Sequence, residues 1–165
     1  MKRFWALFII LVFLCGCSAE KEVKISASPM SFDCLIEGQD EKYTVNVKTS
    51  ENTDTIEASV TSPENLKDLK YTLQNDVFST EYKGINTTAD IKEAAEENTV
   101  ILLLKVIKDT IGKPTVAKKD GNYEYSGNLD GFDYTVSVSP SGLPLGITVS
   151  PLGVTVEIKN LTLVN

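Results

Sequence analysis

The sequence predicts an α+β fold in which a curved antiparallel sheet packs against one helical segment. Three observations lead there. Runs of β-branched and aromatic residues alternate with polar ones at period two over most of the chain after Met30. Turn formers such as Gly38-Gln39-Asp40, Gln74-Asn75-Asp76, Asp120-Gly121 and Asp130-Gly131 punctuate those runs. Only residues 88–111 carry a strong helical pattern.

The first seventeen residues, MKRFWALFIILVFLCGC, stand apart. Lys2 and Arg3 precede twelve consecutive apolar residues, 4–15. A charged start and a short apolar run make a secretion signal, and the run is shorter than the ~20 residues a membrane-spanning helix needs. Leu14-Cys15-Gly16-Cys17 resembles a bacterial lipobox, a motif at which the chain is cut before the cysteine and a diacylglyceryl group is joined to its thiol. The resemblance implies that residues 1–16 are a lipoprotein signal peptide and that Cys17 bears the lipid, on the extracytoplasmic face of the cell membrane. The competing reading is an ordinary secretory signal cut at Ser18 or Ala19. Residues 17–29 then comprise the lipidated cysteine and a polar tether, and residues 30–165 a single domain. Val23 and Ile25 alternate with lysines, so part of the tether alternatively begins the first strand.

Cleavage before Cys17 removes 16 of 165 residues and leaves 149, the usual size of one domain. It also takes Lys2 and Arg3, so 14 basic residues face 23 acidic ones at a net charge of −9. That balance argues against nucleic acid and against a polybasic grip on anionic headgroups, leaving membrane attachment to the anchor. Of three cysteines, Cys15 leaves with the signal, Cys17 is committed to lipid, and Cys34 has no partner for a disulfide. Cys34 lies in an apolar run and reads as a buried, inert thiol. The chain has no histidine, which removes Ser-His-Asp and Cys-His catalysis and most zinc sites.

In chain order, residues 31–37, 42–48 and 54–61 read as three strands joined by hairpin turns. Tyr43, Val45 and Val47 share one face, while Lys42, Thr44, Asn46 and Lys48 share the other, so one side meets a core and the other water. Pro63 interrupts the pattern. Residues 69–73 and 77–82 then form a further hairpin, which Lys83-Gly84-Ile85 ends. Thr88-Ala89-Asp90 supplies a helix N-cap candidate, followed by the helix formers Glu93, Ala94, Ala95, Glu96 and Glu97. Val100, Leu103, Leu104, Ile107 and Ile111 form one apolar stripe, widened by Ile101, Leu102 and Val106, before a Gly112-Lys113-Pro114 stop. This is one helix, or two short ones broken near Asn98, covered on more than one side by the concave face of the sheet. Residues 115–118, 122–126, 132–138, 147–149 and 154–161 return to strands, for nine or ten in all.

Candidate chemistry is sparse. The acid pairs Asp130 with Asp133 and Glu96 with Glu97 are the candidates for acid and base work, and both read as solvated surface. Asp120-Gly121-Asn122 and 128–131 lack the spacing of a calcium loop and read as turns, so no metal or other cofactor is expected. Asn86-Thr87-Thr88 and Asn160-Leu161-Thr162 match the glycosylation triplet, which a bacterial lipoprotein gives no reason to use. The notable feature is apolar: Phe32, Tyr43, Tyr71, Phe78, Tyr82, Tyr123, Tyr125, Phe132 and Tyr134 all fall on predicted strands. They read either as a plain core or as the wall of a groove for acyl chains.

The strand KYTVNV, the stretch from 62 to 85 (SPENLKDLKYTLQNDVFSTEYKGI), the helix after it, and the closing GLPLGITV and VTVEIKNL together resemble the LolA-like lipoprotein-carrier family. The resemblance covers most of the mature chain. It implies a half-open antiparallel barrel closed by helices and a role in binding rather than catalysis. The chain departs from the carriers in keeping its own lipobox, which conflicts with a shuttle role. The expected function is a membrane-anchored envelope lipoprotein holding a hydrophobic ligand or lipid between the stripe Val100, Leu103, Leu104, Ile107, Ile111 and the sheet. The alternative is a non-catalytic interaction module of an envelope complex, whose cavity is filled and whose edge strand docks a protein partner.

Overall fold

The computed structural model describes residues 22–38, 42–51, 54–90, 98–118 and 120–164, so the lipobox with Cys17 and the pair Glu96 and Glu97 lie outside it. Alternation becomes eleven strands: β1 (Met30–Glu37), β2 (Lys42–Thr49), β3 (Thr55–Ser62), β4 (Lys70–Gln74), β5 (Val77–Tyr82), β6 (Ile85–Asp90), β7 (Val116–Ala117), β8 (Tyr123–Leu129), β9 (Phe132–Val138), β10 (Pro144–Val149) and β11 (Val154–Leu163). Among the described residues one α-helix, α1 (Thr99–Thr110), lies between β6 and β7 in the chain. The strands form one sheet in the order β6-β5-β4-β3-β2-β1-β11-β10-β9-β8-β7, so each strand pairs with its chain neighbour except at α1 and where β11 returns to β1.

The register places every core strand in phase. One row runs Phe78, Leu73, Ile56, Thr49, Met30 from β5 to β1. Another runs Tyr43, Ile36, Val156, Ile147, Val136, Tyr125 from β2 to β8. A slip of one residue in any strand would turn its apolar set to water, so the alternating pattern pins the pairing. All nine strand aromatics fall on this same face by register. The opposite face carries polar ladders, such as Asn160 and Asn46 donating to the Asp33 carboxylate at 2.9 Å each and Lys70 with Glu57 at 2.8 Å.

The sheet curls around α1. The helix touches β3, β4 and β8. β4 and β8 are seven inter-strand steps apart, about 34 Å if the sheet were flat, whereas a helix with its side chains is only about 10–12 Å across. Only a strongly curved sheet brings both wings to one helix, and it stays open because β6 and β7 remain separate edges.

Turn chemistry sets the hairpins. Asn75-Asp76, Lys83-Gly84 and Asp130-Gly131 each place two successive residues at positive φ (48° and 63°, 50° and 81°, 52° and 89°), the two-residue geometry whose twist matches that of the flanking strands. Asn160 at φ 53° sits where the β1–β11 register shifts, a bulge that sharpens the bend between them.

The structure differs from the sequence expectations in three places. There are eleven strands, not nine or ten. Residues 85–90 form β6, so Thr88-Ala89-Asp90 is strand and not a helix cap. Lys83-Gly84 turns the chain back onto β5 and six consecutive pairs form, overriding the weak strand signal of Asn86 to Ala89. Finally, packing begins upstream of residue 30: Val23 and Ile25 are buried. Ile25 N–H donates to Lys113 O at 3.0 Å, Thr115 N–H to Val23 O at 2.9 Å, and Ser26 N–H to Gly142 O at 2.8 Å. The end of the expected tether is thus stitched to the segment that follows α1.

Candidate functional site

Among the described residues, the extensive apolar interface that is not sheet pairing lies between α1 and the concave face. A 12-residue helix is marginal alone in water, and α1 is held by burial: Val100, Ile101, Leu102, Leu103, Leu104, Val106 and Ile107 are all buried. Its first turn is fixed by Asn98, whose side-chain oxygen accepts from Val100 N–H at 2.9 Å and Ile101 N–H at 3.3 Å, satisfying two donors that lack helical partners. The Asn98 amide donates to the Tyr71 hydroxyl at 3.1 Å, tying the cap to β4.

The stripe expected from the sequence is brought together here. Val100, Leu103, Leu104 and Ile107 are buried against the sheet, and Ile111, the residue that closes the helix, is partly buried beside them. They fill the concavity rather than line an open groove. Two spaces flank them. At the N-terminal end of α1 a cavity of about 140 Å³ with a largely polar wall is bounded by Tyr71, Asn98 and Thr99 together with Val60, Leu66 and Leu69. At the C-terminal end a slot of about 10 Å³ lies between Ile107, Ile111, Met30, Phe32 and Val136. The first has room for a small molecule, and the second is smaller than a water's share of liquid.

Three polar links, which periodicity does not reveal, hold α1 to the wings of the sheet. Lys105, its side chain only 6% exposed, pairs with Asp130 of the β8–β9 turn at 2.8 Å. Lys108 pairs with Asp76 of the β4–β5 turn at 2.6 Å. The Tyr134 hydroxyl of β9 donates to Asp109. Burial, then the Asp109 hydrogen bond and charge, push the Tyr134 hydroxyl far above its ordinary value, so it remains a donor. Gly127 faces Tyr134 across the β8–β9 pair, and any side chain at 127 would run into the Tyr134 ring and hydroxyl. A lysine on the apolar helix opposite an acidic turn residue was the available signal for the two ion pairs.

The acid pair Asp130 and Asp133 is split between different partners. Asp130 holds Lys105, while Asp133 accepts from the Asn128 amide at 2.7 Å. Cys34 is fully buried, and its thiol is pushed up to about 12 by burial and then by the charge of Asp33, as befits an inert core residue. Among the described residues no group of three metal-ligating side chains converges, and no helix is long and apolar enough to cross a membrane.

No family model and no curated protein matches the chain. Solved structures do. An uncharacterised conserved protein from Thermus thermophilus superposes with a TM-score of 0.54 at 10% identity, covering 84% of this chain and 80% of that one. A LolA superfamily protein from Nitrosomonas europaea gives 0.50 at 9% identity, covering 87% and 89%. The Mycobacterium tuberculosis lipoprotein LppX gives 0.44 at 11% identity, covering 82% and 85%.

Proposed function

From a LolA-like fold whose concave face is plugged by a single apolar helix, we propose that this protein is a non-catalytic binding module of the bacterial cell envelope. Lipid on Cys17 anchors it to the outer face of the membrane, and it takes a hydrophobic ligand or lipid between α1 and the sheet. The observation that carries this reading is how α1 is seated. Seven apolar side chains occupy the concavity as a plug, and among the described residues its polar side-chain ties to the wings include Asn98 to Tyr71, Lys105 to Asp130, Lys108 to Asp76 and Tyr134 to Asp109. Such a plug exchanges one apolar surface for another when a chain-like ligand replaces it, so its displacement costs little hydrophobic free energy. The cavity beside Asn98 and Tyr71 is space that the far end of such a ligand would fill. Val100, Leu103, Leu104, Ile107 and Ile111 are the residues it would touch.

The test is native mass spectrometry of the purified protein after exposure to bacterial membrane extract. Added mass that matches a lipid and is lost on denaturation supports the groove. A bare polypeptide mass refutes it and favours the second reading, docking of an envelope protein on β6. That edge has its own support: residues 85–88 are exposed, and 85–89 carry no charge, proline or bulge, the usual guards of a free edge. The opposite edge, β7, is only two residues long.

A further inference from the structure

An open cleft of about 430 Å³ lies over the C-terminal half of α1. Its charged lining is balanced: Lys105, Lys108 and Lys113 stand among Asp76, Asp109 and Asp130. Lys105 and Lys108 are already paired across it, Asp109 takes the Tyr134 hydroxyl, and the Lys113 ammonium has no carboxylate partner among the described residues. Ile111 lines both this cleft and the narrow apolar slot beneath α1. A charged mouth and an apolar floor therefore meet at one side chain.

Resting on the ligand-binding reading above, we infer that this cleft is the headgroup site of a zwitterionic amphiphile. Its anionic group sits against Lys108 and Lys113, its cationic group against Asp109 and Asp130, and its tail passes Ile111 into the space under α1. The charge pattern selects the class. A purely anionic headgroup meets three carboxylates and a purely cationic one meets three ammonium groups, whereas a zwitterion brings one charge of each sign, so that the Lys113 ammonium and the Asp109 carboxylate, neither of them in an ion pair among the described residues, each gain an opposite charge. The net charge of −9 after cleavage before Cys17, 14 basic against 23 acidic residues, further disfavours an anionic ligand at a distance.

Location agrees with a membrane source. Ile25 and Val23 are hydrogen-bonded to Lys113 and Thr115, so the chain leading to the anchor leaves the fold beside this cleft. From Val23 to Cys17 is six residues, at most about 20 Å of extended chain, which holds the cleft close to the headgroups of the anchoring leaflet.

Calorimetric titration of the purified protein with dodecyl-phosphocholine, dodecyl maltoside and dodecyl sulfate, each below its micelle concentration, and with tail-free phosphocholine, tests this. Dodecyl-phosphocholine is expected to bind about tenfold more tightly than the maltoside. That advantage should fall about fivefold in the double variant Lys108→Ala/Lys113→Ala. Lys113 is exposed and Lys108 is half-buried with a partner, Asp76, that is 73% exposed, so the fold survives their loss; circular dichroism verifies it. Equal affinity for phosphocholine and maltoside amphiphiles overturns the headgroup site and leaves the groove standing. Binding of none of the three amphiphiles overturns both. Sulfate binding as tight as phosphocholine shows a plain anion site, and tail-free phosphocholine binding as tight as the amphiphile shows a soluble ligand; either overturns the inference.

Discussion

Leu104→Ala probes the seat of the helix most directly. Leu104 is at 0% exposure in the middle of α1, so truncation removes buried methyl groups and leaves a hole that β3 and β4 cannot close without breaking register. Leucine-to-alanine changes at such sites cost about 2–5 kcal/mol, and a side chain this enclosed belongs near 4 kcal/mol. A domain of this length has roughly 7–20 kcal/mol of total stability, so the variant still folds, with a melting temperature lowered by roughly 10 °C. Urea unfolding followed by circular dichroism measures the loss, with Leu145→Ala at a 43% exposed position as the control, expected within about 0.5 kcal/mol of the parent. The new hole is apolar and dry, so benzene should raise the variant's melting temperature by more than it raises the parent's. A loss below about 1 kcal/mol would refute the packing of α1 into the concavity, and with it the site built there.

Asn98→Ala removes the cap and the Tyr71 link together and should cost about 1 kcal/mol in the same urea assay. Gly127→Ala forces a methyl group into Tyr134 and should cost about 1–3 kcal/mol, whereas the same change made in a Tyr134→Ala background should cost little. Cys34, its thiol pushed up to about 12, carries almost no thiolate near neutrality, so a thiol reagent at about pH 8 should leave it untouched in the native protein and label it in urea. Asn160 and Asn46 hold the Asp33 carboxyl below its ordinary 3.8. Its contribution to stability is therefore full above that ordinary value and fades as pH falls through the lowered one. Asp33→Asn should flatten the acid limb of the stability profile below about pH 4, and an unchanged limb would count against the Asn160–Asp33–Asn46 ladder.

Much of the sheet was legible because its signal is local. Tyr43, Val45 and Val47 against Lys42, Thr44 and Asn46 state a one-sided strand in six residues, and the register confirms every such face. β6 was not legible. Ile85 to Ala89 lie on a free edge with no core to fill, so their composition reflects exposure rather than strand pairing, and only the positive φ of Lys83 and Gly84 commits them to a hairpin. The helix stripe was legible as apolar and covered, but periodicity does not tell a side chain that lines a groove from one that fills it. That distinction depends on how tightly the sheet curls, a sum over seven inter-strand steps that no single residue encodes.

The polar links escaped notice for a different reason. Asp76 and Asp130 occupy left-handed turn positions, φ 63° and 52°, where aspartate is favoured for its own local hydrogen bonding, so the sequence assigns them fully to turn formation. In the folded chain each also presents a carboxylate to α1. One turn belongs to the β4–β5 wing and the other to the β8–β9 wing, so the helix bridges the two sides of an open sheet. Withdrawing α1 therefore breaks both bridges at once and removes the restraint on curvature, while a sheet that uncurls carries both carboxylates away from their lysines. Helix displacement and sheet opening would therefore be coupled. Under the ligand-binding proposal, a ligand that replaced the plug would also have to replace those bridges, so that proposal favours an amphiphile carrying both charges at one end over a plain hydrocarbon.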